Sequence, residues 1–296
     1  MGGPTLNLFV IAAGNTEALE VALQERLTDA SSKDADILAR YTERVRHTGR
    51  ISINMVPEVL RGFLDAREHR NIYERASAKA KDSRTAREEI LRKELDTYYE
   101  RRIAFEGSFE DGERFRYGAL NIGGLGASTF GLFCVVCKDH VSSTLPEVAY
   151  LRADSLETYL LPGPVVDEAK IRRDASPHSH RQCLAALKHA DEVPRLDELQ
   201  WPALLCSGVD YVEAIFTAQL TPEDVQVIRM SRTEHNRLLS DHVIEASRAM
   251  PSGDQLRLGG ALKQILEDLK QNQIRLVDET DIPMEDENAP SLGVGS

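Results

Sequence analysis

Residues 132–137 are Leu-Phe-Cys-Val-Val-Cys, an uninterrupted apolar run with the length of one strand. Such a run is typical of a strand that is buried on both faces in the centre of a sheet. A second β-prone run, Tyr-Val-Glu-Ala-Ile-Phe at 211–216, alternates Glu213 with apolar neighbours, and it predicts a strand over 211–218. We expect both strands to lie in one domain around a shared core.

The other elements follow from apolar periodicity and from turn residues. Apolar residues at three- and four-residue spacing predict helices, which cover 17–28, 33–46, a segment after Pro57 and one charge-rich surface helix within 72–105. Alternation or short apolar runs predict strands at 50–56, 148–151, 159–161 and 225–228. Further helices are predicted from Ser176 through Leu187 and over 231–249 and 254–272. This order indicates an α+β fold with a mixed or antiparallel sheet.

The pattern divides the chain into four regions. Residues 1–47 form a helical N-terminal region, and residues 48–230 form the core that contains the sheet. Residues 231–277 are predicted to be helices that pack on this core. The acidic, proline-containing segment 278–296 is predicted to be a disordered tail.

Composition limits the class of protein. With a net charge of −12, the chain lacks the excess of Lys and Arg that a nucleic-acid partner requires, although it suits a basic protein surface. No apolar run reaches the ~18–20 residues that cross a bilayer, and no basic segment precedes the first apolar residues as in a secretory signal. The four scattered cysteines indicate a reducing compartment. We therefore expect a soluble protein without nucleic-acid or membrane partners.

Three other patterns have a simpler interpretation than a site. The glycine-rich residues 123–126 have no following Lys-Ser/Thr pair and precede a strand, so we interpret them as a flexible turn and not a nucleotide loop. Cys134 and Cys137 are three apart in a strand, point to opposite faces and cannot share a zinc ion. Histidines around one predicted helix do not share a face, so no metal site is predicted; they are His178, His180 and His189.

Glu213 is the candidate that the residues themselves put forward. It is a carboxylate in an otherwise apolar and aromatic strand, which is unfavourable unless the group lies in a cleft or has a partner. A group in such a place marks a candidate site. The alternative is that Glu213 lies on the exposed face of an edge strand.

Three segments together resemble a bacterial enzyme family. They are Tyr-Glu-Arg-Arg-Ile-Ala-Phe at 99–105, Arg-Tyr-Gly-Ala-Leu-Asn at 116–121 followed by Gly-Ala-Ser at 126–128 and Phe-Gly at 130–131, and Asp-Tyr-Val-Glu-Ala at 210–214 with 220–228 behind it. Their order and spacing are similar to those of the CteC-homologous ADP-ribosyltransferases, secreted effectors that attach ADP-ribose to threonine of ubiquitin. They also resemble related uncharacterised bacterial proteins with the Tyr-Gly-Ala-Leu-Asn segment. The resemblance covers roughly residues 48–230.

The resemblance implies an ADP-ribosyltransferase-like catalytic core at 48–230 that uses NAD as a substrate and needs no metal. Glu213 matches the catalytic carboxylate, which stabilises the oxocarbenium-like state as nicotinamide leaves the ribose. The family also places an arginine on the pyrophosphate and an aromatic residue on the nicotinamide. Arg116, with Arg50 as the alternative, is the expected arginine. Three residues are alternatives for the aromatic one: Tyr117, Phe130 and Tyr211. Asn121 is expected to bind a remaining polar edge of NAD.

One departure bears on the acceptor. Many arginine-modifying transferases have a second glutamate or glutamine two positions before the catalytic one, where this chain has Tyr211. A hydroxyl acceptor is therefore favoured, and the resemblance implies threonine of ubiquitin. It further implies synthesis in the bacterial cytoplasm and, for an effector, action in the host cytosol as a virulence toxin that blocks ubiquitination.

Two hypotheses from other classes stand beside the transferase. One is a non-catalytic protein-interaction domain on the same scaffold, in which Glu213 is structural and the N-terminal helices bind the partner. The other is a cysteine hydrolase that uses Cys183 or Cys206 with a histidine.

Overall fold

The computed structural model of the chain describes residues 5–81, 83–144, 147–163, 165–237 and 263–278. Its helices are α1 (Leu8–Ala13), α2 (Thr16–Asp29), α3 (Ser32–Thr48), α4 (Pro57–Ala66), α5 (Ile72–Ala80), α6 (Arg84–Leu95), α7 (Tyr99–Glu106), α8 (His140–Ser143), α9 (Ser155–Thr158), α10 (Glu168–Asp174), α11 (Arg181–Lys188) and α12 (Trp201–Leu205). Residues 232–237 and 263–271 are also helical. Short 3-10 turns are Asp96–Tyr98, Gly112–Arg114, Ser128–Phe130, His178–His180, Val193–Arg195, Glu198–Gln200 and Pro222–Asp224.

The strands are β1 (Arg50–Met55), β2 (Arg116–Asn121), β3 (Phe133–Cys137), β4 (Val148–Leu151), β5 (Leu160–Leu161), β6 (Val165–Val166), β7 (Ala175–Pro177), β8 (Glu213–Phe216), β9 (Val225–Met230) and β10 (Arg275–Asp278). Within the described residues, eight of them form one sheet in the order β10-β9-β3-β1-β2-β8-β4-β7. Neighbours are antiparallel except for the parallel edge pair β9 and β10. Strands β5 and β6 form a separate ladder. The predicted α+β fold with a mixed sheet is confirmed.

The two strands that the sequence identifies first share this sheet, as predicted. β3 is buried at every residue, and β8 lies beyond β1 and β2 from it. β8 is shorter than the predicted 211–218, because Tyr211 pairs only through an isolated bridge to Cys206 and the strand ends at Phe216. The strand predictions at 50–56, 148–151 and 225–228 are confirmed, and the one at 159–161 is reduced to Leu160–Leu161.

One face of the sheet is covered by helices. Side chains of the strands and of the N-terminal, central and C-terminal helices form a continuous buried cluster on this side; examples are Leu23 of α2, Tyr41 of α3, Leu184 of α11, Ile51 of β1, Phe216 of β8 and Ile265 near the C-terminus. The N-terminal helices α2 and α3 therefore contribute to the same core as the sheet.

The opposite face is covered only in part. Near β4 and β7 it packs on α1 and α7 through a second cluster that contains Phe105 and Ile215. Toward β1 and β2 it becomes polar. The register pairs Ser52 with Ala119 and Ala119 with Glu213, and directly paired residues project to the same side of a sheet. This polar part of the face carries the candidate site.

The structure corrects the predicted helix from Ser176 through Leu187. Residues Ala175–Pro177 form the edge strand β7, in which Ser176 pairs with Tyr150, and α11 begins only at Arg181. Proline is tolerated there because an edge strand leaves one row of backbone groups unpaired. Serine followed by proline fits both a helix start and an edge strand, so the local sequence does not separate the two.

The charge-rich segment 72–105 contains three helices where the sequence predicts one. Lys81 follows α5 and Asp96 follows α6 with φ angles of 48° and 45°, so each breaks the helical backbone with a positive φ. These breaks free α7 to pack over the sheet, where Arg102 lies above the ring of Tyr117.

The C-terminal part also differs from its prediction. Of the predicted helices 231–249 and 254–272, residues 238–262 lie outside the described residues. Arg275–Asp278 form a strand at the edge of the sheet, so region 231–277 is not purely helical and the tail does not begin at Asp278. Residues 279–296 lie outside the described part of the chain. In the described ranges, no helix is both long and apolar enough to span a bilayer.

Candidate functional site

A cleft opens over the polar part of the sheet that carries Glu213. It is lined by β1 and β2, by α5 and α7, by the loop that follows β2, and by residues around Asp154 and Tyr211. The cleft encloses about 290 Å³, near the lower end of the ~300–1,000 Å³ usual for ligand pockets. A wider depression of about 470 Å³ lies between α1 and α10, but its charged side chains, Glu168 and Arg172, pair with each other.

Glu213 is a buried carboxylate that lines this cleft. Only 4% of the residue is exposed, and Glu213 Oε2 accepts a 2.9 Å hydrogen bond from the Ser155 backbone N–H. Burial, and then the charge of Asp154, hold the pKa of Glu213 well above its ordinary value, while Arg102 acts in the opposite direction. A carboxylate in such a cleft with such neighbours is a candidate for catalysis or binding.

Asp154 is a second carboxylate on the same cleft, and it is half-buried. Its Oδ1 caps α9 by accepting hydrogen bonds of 2.9 Å from the backbone N–H groups of Leu156 and Glu157. Its Oδ2 accepts a 2.5 Å hydrogen bond from the Tyr211 hydroxyl. Burial, and then the charge of Glu213, raise the pKa of Tyr211, so this hydroxyl keeps its proton and acts as a donor.

Arg102 and Tyr117 form a stacked pair in the cleft. The Arg102 guanidinium lies 3.8 Å from the centre of the Tyr117 ring. Behind them, the buried Glu106 accepts a 2.9 Å hydrogen bond from the Tyr117 hydroxyl and another from Tyr73. Arg102 Nε lies 3.5 Å from Glu106 Oε1 without a well-formed hydrogen bond, and it has no hydrogen-bond acceptor among the described residues. Nε itself is buried, but the two Nη groups of Arg102 form no hydrogen bond with the described residues, so they are the donors that a ligand can use.

A second guanidinium faces the same cleft from α5. Arg75 donates to the backbone oxygen of Arg70 at 2.9 Å and lies 3.7 Å from Glu94. Burial lowers the pKa of Arg75, Glu94 opposes this, and the positive charge of Arg102 adds to the lowering. Two like charges that line one cleft repel each other until an anion lies between them, so the pair favours an anionic ligand.

The structure places Arg116 on the cleft but gives it a structural role. Each of its three nitrogens already donates to protein: Nη2 to Glu74 at 2.8 Å and Gln219 at 2.5 Å, Nη1 to Thr217 O at 3.2 Å, and Nε to His69 O at 3.4 Å. An arginine with its donors engaged in this way has none left for a phosphate. The alternative candidate Arg50 forms an ion pair with Asp139 at 3.1 Å and does not line the cleft.

Asn121 is also occupied within the protein and does not line the cleft. Its Oδ1 accepts from the backbone N–H groups of Gly123 and Gly124 at 2.8 and 2.6 Å, and its Nδ2 donates to Gly124 O at 3.0 Å. The side chain thereby holds the glycine-rich turn in place, whereas the sequence predicts a flexible turn at 123–126 and an NAD-binding role for Asn121. Gly126 in this turn has a φ of 67°, and a Cβ there would lie 2.1 Å from Asn54 Oδ1.

Phe130 is the exposed aromatic residue of the site. It lines the cleft with 57% of its surface exposed, and its ring meets Tyr211 edge-on with centroids 6.1 Å apart. Tyr211 is buried and bonded, and one face of Tyr117 is covered by Arg102. Of the three predicted aromatic residues, Phe130 therefore has the most surface available for stacking on a ligand.

The structure brings five of the six predicted site residues to one cleft and leaves one out. The five are Arg116, Tyr117, Phe130, Tyr211 and Glu213, and the one left out is Asn121. The predicted site residues do not include Arg102 or Asp154. Arg102 lies in one of the resemblance segments and shares a helix face with Tyr99 and Glu106, which was the available signal. Asp154 received no role because a polar Asp-Ser turn is ordinary.

The cysteine and metal patterns remain without support from the geometry. All four cysteines are buried, and burial raises the pKa of Cys134 to about 11 and of Cys137 to about 12, with Cys183 and Cys206 also raised. An activated nucleophile needs the opposite shift. Among the described residues, no group of three or more His, Cys, Asp or Glu side chains could hold a metal ion.

Comparison with family models and with curated proteins finds no match for this chain. What the chain does is therefore inferred from the cleft. Its chemistry combines two neighbouring carboxylates, Glu213 and Asp154, with two guanidiniums and an exposed aromatic ring. Such a set can hold a ligand that carries an anionic group, a flat ring and a centre where positive charge develops.

Proposed function

We propose that the protein is an ADP-ribosyltransferase-like enzyme that transfers a single ADP-ribose from NAD to a hydroxyl group of a protein. The observation that carries the proposal is the buried Glu213 on a sheet cleft that also holds Arg102 and Phe130. The three side chains match the three parts of NAD: the ribose centre that reacts, the pyrophosphate and the nicotinamide ring. No metal takes part in this chemistry.

Glu213 acts on the ribose. Breaking the bond between ribose C1′ and nicotinamide leaves the electron pair on the nicotinamide nitrogen and positive charge on the ribose. An ionised Glu213 stabilises that charge and accepts a hydrogen bond from a ribose hydroxyl. Burial raises the pKa of Glu213, and the positively charged nicotinamide ring of NAD favours the ionised form as it binds.

Arg102 holds the pyrophosphate, with Arg75 beside it. A guanidinium suits two phosphate oxygens at once, and Arg102 is already oriented by its stack on Tyr117 and by Glu106. Phe130 stacks on the nicotinamide ring at the mouth of the cleft. Because the cleft encloses only about 290 Å³, the adenosine end of NAD extends beyond it.

The acceptor is a hydroxyl, and threonine of ubiquitin is the specific proposal. Tyr211 replaces the second acidic or amide residue of arginine-modifying transferases, which favours a hydroxyl over a guanidinium. A bacterial effector with this activity would be made in the bacterial cytoplasm and act in the host cytosol, where it blocks ubiquitination.

The test is incubation of the full chain with NAD labelled in the adenosine moiety, with and without ubiquitin. We expect nicotinamide release and label on ubiquitin. Glu213→Gln lowers the turnover about 10²–10³-fold while NAD still binds, because the charge matters most in the transition state. Glu25→Gln, at an exposed position of α2, is the matched control and leaves the turnover unchanged.

Two results contradict the proposal. One is wild-type protein that releases no nicotinamide with any acceptor. The other is a folded Glu213→Gln protein that keeps more than about a tenth of the wild-type turnover, since losing an aimed electrostatic group has a far larger effect.

The alternative function is a non-catalytic protein-interaction domain. The observation that favours it is a set of large apolar side chains on the surface: Phe130 is 57% exposed, Leu199 77% and Val209 80%. Under this alternative, Glu213 is a structural group held by Ser155. The same NAD assay separates the two, because an interaction domain releases no nicotinamide.

A further inference from the structure

Asp154 has one side-chain oxygen whose surroundings a helix cap does not explain. Its Oδ1 caps α9 with two backbone N–H groups, which fulfils the structural role. Its Oδ2 faces the other way and accepts from Tyr211 OH at 2.5 Å. The residue after it, Ser155, donates to Glu213 at 2.9 Å, so the two carboxylates are held next to each other by adjacent backbone positions.

The two carboxylates differ in exposure. Glu213 is buried beneath the cleft, whereas Asp154 is half-buried and lines the cleft from its side. Oδ2 has a second lone-pair position besides the one that Tyr211 occupies. A group that enters the cleft from solvent can therefore reach Asp154 Oδ2 while the ribose lies against Glu213.

We propose that Asp154 is the general base that takes the proton from the acceptor hydroxyl, with Tyr211 as the residue that positions it. This inference rests on the proposed function and adds the second catalytic group. Division of labour between two carboxylates in different surroundings is a recurring solution in sugar-transfer chemistry, where one stabilises the sugar cation and the other handles the proton.

With an acceptor hydroxyl, one bond forms and one bond breaks at ribose C1′. The acceptor oxygen forms a bond to ribose C1′, and the bond from C1′ to the nicotinamide nitrogen breaks with its electron pair going to that nitrogen. The hydroxyl proton passes to Asp154 Oδ2 as the new bond forms, and afterwards to solvent at the open side of the cleft. Water can replace the protein hydroxyl in the same step and gives free ADP-ribose.

Tyr211 keeps the base in position. Its hydroxyl donates to Oδ2 and so holds the carboxylate plane, and its side chain is itself buried and packed edge-on against Phe130. This also assigns a purpose to the aromatic residue two positions before Glu213: it places a carboxylate from another part of the chain beside the catalytic one.

The competing explanation is that Asp154 only caps α9. Asparagine separates the two roles, because it caps a helix as well as aspartate does but has no charge and cannot accept a proton. We therefore compare Asp154→Asn, Tyr211→Phe and Glu213→Gln with the wild-type full chain, using labelled NAD with ubiquitin, with water alone, and with sodium azide. Azide is a nucleophile that needs no base.

We expect Asp154→Asn to bind NAD and to unfold thermally like the wild type, but to lose about 10²–10⁴-fold in transfer to ubiquitin and in hydrolysis. Azide restores nicotinamide release by Asp154→Asn, since that reaction needs no proton removal, and does not restore it in Glu213→Gln. Tyr211→Phe loses a smaller factor in transfer, and azide restores its nicotinamide release as well, as expected for a residue that positions the base.

Transfer by Asp154→Asn within about threefold of wild type would overturn the inference, because general-base catalysis contributes far more than this. Failure of azide to restore nicotinamide release, in a variant that still binds NAD, would also overturn it. Absence of nicotinamide release by the wild type with ubiquitin, water and azide is a different result: it rejects the proposed function and this inference with it.

Discussion

Burial of carboxyl groups in and behind the cleft lowers the stability of the fold. Glu213 and Glu106 are both buried and nearly inaccessible, and burial raises the pKa of each. The burial of Glu106 is compensated by hydrogen bonds from two tyrosine hydroxyls and by the charge of Arg102. Glu213 has one backbone donor and lies beside the like charge of Asp154. Glu213 is thus the less compensated of the two, as expected for a group whose partner is a ligand.

The raised pKa of Glu213 should make the stability of the protein depend on pH. A carboxyl group whose pKa is higher in the folded state binds more protons there than in the unfolded state. Its contribution to the free energy of unfolding is therefore fully present below the unfolded pKa of about 4.3. That contribution is lost as the pH rises through the folded pKa. Glu213→Gln removes that loss, and the glutamine amide can donate to Asp154.

We therefore expect Glu213→Gln to raise the free energy of unfolding by about 0.5–2 kcal/mol at pH 8, in line with the usual trade-off at functional sites. The gain should shrink as the pH falls toward 4. Urea unfolding at pH 4, 6 and 8 measures it. A variant that is less stable than the wild type at every pH would show that Glu213 is a well-compensated structural group.

The second residue-level prediction concerns Arg102. Arg102→Gln removes the charge and the fork that the proposal places on the pyrophosphate, so we expect the KM for NAD to rise about tenfold or more with a smaller change in kcat, as for a hydrogen bond to a charged group. Arg101→Gln is the matched control, because Arg101 directly precedes Arg102 on α7 and pairs with Glu157 on the surface.

An equal change in KM for both variants would contradict the placement of Arg102. The structural role of Arg116 would be contradicted if Arg116→Lys raised the KM for NAD and left the free energy of unfolding unchanged. The Arg116 nitrogens are bonded to protein acceptors. The expected effect of Arg116→Lys is a lower free energy of unfolding.

At the level of elements, the site depends on how closely β2 approaches β1. A Cβ at Gly118 in the middle of β2 would lie 2.6 Å from the backbone oxygen of Ser52 and 3.1 Å from Ile51 Cγ2. Gly118→Ala therefore forces the two strands apart, and we expect it to lower the free energy of unfolding by about 1–3 kcal/mol.

Gly62→Ala is the control for that change. Gly62 lies in α4 with nothing within 4 Å of its would-be Cβ, so alanine there should raise the free energy of unfolding by about 0.5–1 kcal/mol through helix propensity. Both are measured by urea unfolding. If Gly118→Ala behaved like Gly62→Ala, β1 and β2 would not be as close as the structure has them.

The same strand explains what the sequence could and could not predict. β1, β3 and β8 follow from apolar runs and alternation, which depend on local pattern alone. β2 does not, because Gly118 weakens strand propensity and its reason for being glycine is a neighbour more than sixty residues away. β7 was mistaken for a helix start for a similar reason: its edge position, which permits Pro177, is a property of the sheet.

The site residues also divide into those that the sequence alone could predict and those that it could not. Glu213 was visible from its strand alone, because a lone carboxylate in an apolar strand is unusual. Arg102 and Asp154 were not, because an arginine on a charged helix and an aspartate before a helix are both ordinary. Only the fold shows that Arg102 lies over Tyr117 and that Asp154 Oδ2 meets Tyr211.

At the scale of the whole molecule, the helices on one face of the sheet support the site on the other. Helices α2, α3 and α11 share one buried cluster with β1, β2 and β8, and these strands present Ser52, Ala119 and Glu213 to the cleft. The N-terminal helices that the sequence separates as region 1–47 therefore help to hold the strand that carries Glu213 in place.

The acid stability of the molecule should depend on histidines that this packing buries. Burial, together with nearby positive charges, lowers the pKa of His69 to about 3, and of His178 and His189 to about 4. A histidine whose pKa is lower in the folded state stabilises the fold above its unfolded pKa of about 6.5. That stability is lost as the pH falls through the folded pKa.

His189 gives the clearest case, because it is 3% exposed and its Nε2 has no hydrogen-bond partner among the described residues. A shift from 6.5 to about 4 corresponds to about 3.5 kcal/mol at about 1.4 kcal/mol per pKa unit, of which about 3 kcal/mol is lost by pH 4. Between pH 7.5 and 4, we expect the wild type to lose about that much more free energy of unfolding than His189→Leu, as measured by urea unfolding. Parallel curves for the wild type and His189→Leu would mean that His189 binds its proton as readily in the folded protein as in the unfolded chain. Water would then reach the side chain of His189 in the folded protein.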